Sequence, residues 1–264
     1  MNLKQSNNIK SVLIIGSGLL GLSLAKKFSD NDCQVSITST TESKLAALQE
    51  LGYNPIIFNS NIIEHFEKFS LLKVDVLVFT LAPSKCVAIH YNDVLSRICN
   101  KLASFNLLVF TSSISVYSNN GVTHTEKSEA IELNSIIYQT ESYIKEHIKH
   151  YYIFRLGGLI DKQRHPKNFH KSMEVKEAEA PVNLVHIQDV SGIICASISN
   201  KIDFGIYNVC SPEHPSKKEY YGTFNKTLNF NQGSFGKTVD GALISNLIHY
   251  PYTSIYNFKK KRSR

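Results

Sequence analysis

Three absences narrow the reading of this sequence before any motif is considered. The five cysteines, Cys33, Cys86, Cys99, Cys195 and Cys210, are odd in number and scattered, and no two stand in C-x-x-C spacing. That pattern excludes a disulfide framework and a zinc ribbon, and it predicts reduced, mostly buried thiols. No apolar run approaches the length of a membrane span, and Met1-Asn2-Leu3-Lys4-Gln5 lacks the apolar core of a signal peptide. The expectation is a cytoplasmic protein with no membrane partner. No His, Asp or Glu cluster has metal-ligand spacing. His147 and His150 stand three residues apart but close a helix, where a cation simply suits the dipole. Gly/Ser linkers and internal repeats are also missing. The 264 residues should therefore form one large domain, or a domain with a small appendage.

An apolar share of 42% and a charged share of 19% describe an ordinary globular protein. The net charge of +7 could suggest nucleic acid, but Lys259, Lys260, Lys261, Arg262 and Arg264 supply five of those charges. Without this basic tail (259–264) the body is close to neutral. The tail reads as a solvated terminus, with contact to RNA or another anionic surface as the alternative.

What is present begins at residues 11–15, an apolar run that reads as a strand buried on both faces. Gly16, Gly18 and Gly21 follow as G-x-G-x-x-G, and the next residues carry apolar side chains at helical spacing. Strand, glycine turn and helix N-terminus are the context of a dinucleotide-binding fingerprint. Gly16 permits the tight turn, Gly18 lets the main chain approach a pyrophosphate, and Gly21 lets the helix pack closely. The cradle of Gly16, Gly18, Leu19, Leu20 and Gly21 offers free N–H groups to phosphates. Packing alone also uses glycine turns, so the motif's position carries the argument.

The chain then alternates strands and helices. Strands are predicted over 34–38, 55–58, 74–80, 107–110, 152–156 and 206–209, with a helix over 42–51 and helical spacing over 84–104 and 134–149. This predicts an α/β fold: a Rossmann-type, doubly wound parallel sheet. Its dinucleotide-binding domain covers 1–156 and is completed by 183–211. The stretches 157–182 and 212–258 form a small C-terminal substrate-binding cap. Leu81, Ala82 and Pro83 end the fourth strand where it meets the cofactor crevice. After the second strand, an NAD-preferring fold usually places a carboxylate for the ribose. Here Thr38, Ser39, Thr40 and Thr41 stand there, with Lys44 behind. Hydroxyls and a cation suit a 2′-phosphate, so NADP is expected as cofactor, with NAD as the alternative. The same residues also suit an N-cap.

The glycine motif, the strand end Thr111-Ser112-Ser113-x-Ser115-Val116-Tyr117 and the block Asn183-Leu184-Val185-His186-Ile187-Gln188-Asp189-Val190 together resemble an extended or atypical short-chain dehydrogenase/reductase, the NAD-dependent epimerase/dehydratase group. Arg164-His165-Pro166 and the block from Tyr207 to Pro215 narrow the resemblance to YeeZ-like bacterial proteins, over about residues 10–255. It implies hydride-transfer chemistry, net or internal, on a small hydroxyl- or carbonyl-bearing substrate. It also implies a Ser at the end of the fifth strand that orients the reacting oxygen, a Tyr about 25 residues later that exchanges a proton, and a Lys four residues beyond. A phenol is a weak base at neutral pH without a neighbouring cation. Carried over, Ser113 takes the Ser position and Tyr138 the Tyr position, but the Lys position holds Ser142. Lys145, two helical turns from Tyr138, reaches back only part of the way. A second departure is Asp161-Lys162-Gln163, where relatives carry a Gly-Pro-Gly turn.

Each candidate has a plainer reading. Ser113 can cap a turn, and Tyr138 can pack half-buried on an amphipathic helix. Asp189 fits an N-cap for a helix over 190–199 better than a catalytic acid. His186 can be a satisfied core histidine. Ser115, Arg164, His165 and His186 are the substrate-contact candidates. The expected partner is a small-molecule substrate, nucleic acid is not expected, and a homodimer is admitted. The rival function keeps fold and nucleotide but not redox chemistry: a sensing module, or a scaffold for a non-redox reaction.

Overall fold

Seven runs become strands of one sheet; the central ones are apolar and buried on both faces, whereas the edge run Asn54–Ile57 is only half-buried. They are β1 (Ser11–Ile15), β2 (Gln34–Ser39), β3 (Asn54–Ile57), β4 (Lys73–Phe79), β5 (Ser104–Ser113), β6 (Tyr151–Leu156) and β7 (Gly205–Val209). In this computed structural model, which describes residues 9–258 except Lys171 and Ser234, they form one parallel sheet in the order β7-β6-β5-β4-β1-β2-β3. Register is fixed by pairs such as Leu13 with Ser36, Leu13 with Leu77 and Leu77 with Leu108. The order reverses between β1 and β4, which is where such folds open a ligand crevice at the strands' carboxyl ends. The basic tail lies outside the described residues.

The chain forms two compact units. Among the described residues one comprises 9–112, 133–154 and 194–206, and the other 113–132, 155–193 and 207–258. In the first, helices α1 (Leu19–Ser29), α2 (Ser43–Glu50), α3 (Tyr91–Lys101) and α4 (Ile136–His147) connect the strands. Its core joins Leu13, Ile15, Leu77, Phe79, Tyr91, Val94, Leu95, Ile98, Leu108 and Phe110. The helical pattern expected over 84–104 is interrupted: a 3-10 turn at Pro83–Lys85 precedes α3, and β5 already starts at Ser104. Here Asn61 Oδ1 accepts from Val87 N and Ala88 N, both at 2.8 Å, and holds that stretch in a bend outside any helix.

The second unit is built from short pairs, 158–160 with 184–186, 123–124 with 238–239, and 174–175 with 229–230. Helix α6 (Lys217–Phe224), with a capping box between Ser216 and Glu219, and α7 (Ala242–Leu247) give the expected loop-rich stretch 212–258 regular structure. A smaller apolar core gathers Ile160, Val175, Val182, Leu184, Tyr220, Tyr221 and Ile255. Helix α5 (Ile187–Ser199) begins three residues earlier than expected, so Asp189 lies inside its first turn and is not an N-cap. Its buried carboxylate is taken by a distant segment instead: Thr253 N and Oγ1 donate at 2.7 and 2.9 Å, and Tyr250 OH at 3.4 Å.

Among the described residues no helix is long and apolar enough to cross a membrane, and no group of His, Cys, Asp and Glu could hold a metal ion. All five cysteines are free; Cys33, Cys195 and Cys210 are buried, and Cys86 and Cys99 are half-buried.

Candidate functional site

The carboxyl ends of β1, β2, β3 and β4 surround a cavity of about 450 Å³ in the first unit. The glycine turn forms one wall. Gly16 has φ +114°, and its N–H donates to Thr38 Oγ1 at 2.8 Å. A Cβ on Gly16 would stand 2.9 Å from Thr80 Oγ1, and one on Gly21 only 1.9 Å from the Gly16 carbonyl oxygen. Both positions therefore need glycine for reasons internal to the protein. Gly18 is different. Its φ of −74° suits any residue, and a Cβ there would meet nothing within 4 Å. Glycine at 18 leaves bare main chain facing the cavity at the start of α1, where no side chain caps the helix. That is the surface a dinucleotide pyrophosphate requires.

The remaining lining consists of Ser17, Thr38 to Thr40, Lys44, Phe58 to Asn61, Thr80 to Ala82 and Lys85. It carries two lysines and no carboxylate, so the cavity favours an anion. Thr38 and Ser39 are nearly fully buried. Thr38 Oγ1 serves Gly16, and Ser39 Oγ accepts from Thr41 N at 3.2 Å. Of the residues expected at the ribose, Thr40, Thr41 and Lys44 are exposed, and of these Thr40 and Lys44 line the cavity. Leu81 and Ala82 line the cavity, while Pro83 does not; Leu20 points into the core and Leu19 is half-buried. Sequence reasoning missed the wall Asn59-Ser60-Asn61. Its signal was a run of small polar residues directly after the third strand. Asn61 Nδ2 donates to Asn59 Oδ1 and to Lys85 O, both at 3.1 Å, so this wall also positions Lys85.

A larger cavity of about 530 Å³ opens at the amino ends of the strands, against Ile9, Asp75, Asn106, Tyr152 and Phe204. Burial raises the Asp75 pKa, but donation from Lys10 N, Ser11 N, Ser11 Oγ and Asn106 outweighs it and holds the carboxyl below its usual range. A fixed carboxylate and no glycine turn make that cavity a poor host for phosphates.

On α4, Ser135 accepts from Tyr138 N at 3.4 Å and caps the helix. Tyr138 is half-buried, and the Lys145 ammonium lies 5.5 Å from its ring centroid. Lys145 thus reaches back two turns and covers the phenol ring, further than its spacing suggests. Beside it Glu141 is fully buried and accepts from Ser112 Oγ at 2.5 Å. Sequence reasoning passed over this carboxylate because its helical position looked like any solvated one.

No family model matches the sequence. The chain is 26% identical over 263 residues to Protein YeeZ of Escherichia coli K12, covering 92% of this chain and 96% of that protein. Its fold matches UDP-glucuronic acid 4-epimerase from Bacillus cereus in complex with NAD, with TM-score 0.72, 18% identity and 93% of each chain covered. It also matches human epimerase family protein SDR39U1 (isoform 2) with NADPH, at TM-score 0.67 and 12% identity, over 93% of this chain and 95% of that one. The chain has the Rossmann-like α/β fold of these epimerase structures.

The second unit also carries candidates. Ser113 Oγ accepts from Ser115 N at 3.1 Å and caps the turn Ile114–Val116, while Ser115 itself is exposed. Arg164 Nε donates to Leu159 O at 2.8 Å, and its guanidinium lies 5.2 Å from the Phe169 ring centroid. His165 accepts from Lys167 N at 3.2 Å, and burial lowers its pKa. The His186 Nε2–H donates to Ser254 O at 2.9 Å. Both histidine rings flank Phe258, at 4.1 Å for His165 and 5.4 Å for His186. Sequence reasoning missed a buried polar cluster behind the Ser113–Tyr117 turn. Arg155 Nη1 donates to Tyr117 OH at 2.9 Å, Tyr117 OH donates to Asn208 Oδ1 at 2.8 Å, and Asn208 N donates to Glu126 at 2.8 Å.

Proposed function

We propose that this protein binds NADP in the cavity of the first unit and acts as an oxidoreductase or epimerase on a small hydroxyl- or carbonyl-bearing substrate. The observation that carries the reading is the cavity lining: bare main chain at Gly18, a helix start without a side-chain cap, and Lys44 and Lys85 with no opposing carboxylate. The relatives of similar fold that bind NAD or NADPH support a nicotinamide dinucleotide. Thr40 and Lys44 favour the 2′-phosphate form, because an ammonium attracts a phosphate whereas NAD selection ordinarily uses a carboxylate. A bound nicotinamide supplies a hydride donor or acceptor. Gly16, Gly18 and the α1 start hold the pyrophosphate. Tyr138 holds the proton to be exchanged, and Lys145 over its ring supplies a cation that Ser142 does not. Ser113 orients the reacting oxygen.

Ser142 also supports a second reading, a nucleotide-binding module or non-redox enzyme on the same fold. Fluorescence titration with NADPH and NADH, followed by NADPH oxidation assays on small ketones and nucleotide sugars with wild type and Tyr138→Phe, separates the two. NADPH binding with turnover lost in Tyr138→Phe supports the enzyme. NADPH binding with no turnover of any substrate supports the module. NADH binding tighter by about tenfold, or 1.4 kcal/mol, overturns the NADP assignment.

A further inference from the structure

Lys237 is a half-buried lysine in the second unit whose ammonium has one hydrogen-bond partner among the described residues, the main-chain carbonyl of Tyr117. No described carboxylate forms an ion pair with it, and Glu132 attracts it only at longer range. Burial lowers its pKa. A partly desolvated ammonium without a counter-ion is costly, and most proteins pair or expose such a group.

The main chain that carries this lysine is held on every side. Asn183 Nδ2 donates to Lys237 O at 2.8 Å, and Asn183 Oδ1 accepts from Val239 N at 2.8 Å. Gly236 precedes it at φ +68°, where a Cβ would stand 2.8 Å from the Ala180 side chain. Thr238 and Val239 pair with Thr123 and His124. The backbone is therefore preorganised to deliver the ammonium to the turn that carries Ser113 and Ser115. His124, next to it, is fully buried. Its Nε2–H donates to Ser118 O at 2.9 Å, and its Nδ1 has no partner among the described residues. Burial lowers the His124 pKa, and the nearby Lys237 charge lowers it further, so the ring stays neutral and does not balance the lysine.

We propose that Lys237 anchors an oxyanion of the substrate, a carboxylate or phosphate, beside the Ser113–Tyr117 turn. One ammonium proton holds the Tyr117 carbonyl and fixes the direction of the side chain. The other two are free to donate to an anion, as a lysine does at phosphate sites. The substrate class is then an oxyanion-bearing small molecule, such as a sugar acid or sugar phosphate. The inference rests on the reading that this turn faces substrate.

The test uses the full-length chain saturated with NADPH, with inorganic phosphate and acetate titrated separately against wild type, Lys237→Met and Lys237→Arg, followed by NMR and calorimetry. The expected result is that wild type binds one anion, Lys237→Met binds it at least about tenfold more weakly, and Lys237→Arg restores most of the affinity. The anion that binds identifies the source, phosphate or carboxylate. Equal binding by Lys237→Met, or no binding of either anion to wild type below about 50 mM, overturns the proposal. If Lys237→Met is too unstable to titrate, Lys237→Arg against Lys237→Gln decides on the same criterion. NADPH affinity, read in the same samples, is unchanged by these variants. Its absence in wild type would refute the dinucleotide reading instead.

Discussion

The two units solve the problem of holding a fold together in different ways. The first closes around long apolar strands and a continuous aliphatic and aromatic core. The second has short strand pairs and a smaller core, and fixes its long connections with side-chain hydrogen bonds, some buried and some part-buried. Asp189 takes the 250–253 stretch, Glu213 accepts from Ser254 Oγ at 2.9 Å and Ile255 N at 2.6 Å, and Tyr117, Arg155 and Asn208 form one chain of bonds. A core built from area tolerates the loss of any one group better than a frame built from a few buried polar bonds. Sites in the first unit should therefore be sensitive to backbone space, and sites in the second to single polar atoms.

The largest effect tests the first half of that contrast. Gly21→Ala places a methyl 1.9 Å from the Gly16 carbonyl oxygen and 3.0 Å from its carbon, both main-chain atoms that cannot swing away. We expect a loss of about 3 kcal/mol of stability or more, and no measurable NADPH binding, by urea unfolding and fluorescence titration. Gly18→Ala at the same turn meets no protein atom, so it should keep stability within about 0.5 kcal/mol and weaken NADPH alone. Equal unfolding in both variants would refute the separation of fold from site at this turn.

Asp189→Ala tests the other half. It leaves Thr253 N, Thr253 Oγ1 and Tyr250 OH without their acceptor in a buried place, at about 1–3 kcal/mol for a lost buried partner, so roughly 2–4 kcal/mol in all. Urea unfolding measures it, and proteolysis within 250–258 should rise. A loss under about 1 kcal/mol would show that the segment is held by its apolar contacts.

These contrasts explain what could be read from the sequence. All seven sheet strands stand within a few residues of their expected places, and for the central ones the reason is that an apolar run buried on both faces looks the same in any context. The carboxylates and amides of the second unit were misread or missed. The partners of Asp189 lie 61 and 64 residues away, and Asn183 bonds 54 and 56 residues along the chain, which no local spacing announces. The expected hydroxyls at 38 and 39 show the same limit. Thr38 is engaged by Gly16, 22 residues earlier, so a motif read as ligand-facing includes a residue that supports the turn. Lys145 departs from its spacing because a long flexible side chain can travel along the helix surface to a ring.

A smaller effect tests selectivity at the cavity. Lys44→Ala removes one of two lining cations. NADPH affinity should fall about tenfold, or 1.4 kcal/mol, with NADH unchanged, in parallel titrations. Equal weakening of both dinucleotides would move Lys44 from the 2′-phosphate to the shared pyrophosphate.

The smallest effect lies in the pH dependence of the second unit, where two half-hidden titrations oppose each other. Burial raises the Glu126 carboxyl above its ordinary 4.5, partly offset by donation from Asn208 N. The folded state therefore holds that proton more tightly than the unfolded one, and stability falls as pH rises from 4.5 towards the raised value. Burial lowers His124 below its ordinary 6.5, partly offset by its bond to Ser118 O. There the unfolded state binds the proton first, so stability rises with pH up to 6.5. The two slopes have opposite signs and partly cancel in the wild type. Glu126→Gln keeps an acceptor for Asn208 N but removes the carboxyl titration. Its stability should consequently climb more steeply between pH 4.5 and 6.5 than that of the wild type. His124→Gln should do the reverse, leaving the falling slope of Glu126 exposed. Urea unfolding at half-unit pH intervals measures both. Parallel curves for all three proteins would show that neither group is desolvated in the fold, and that the polar frame of the second unit is wetter than its burial implies.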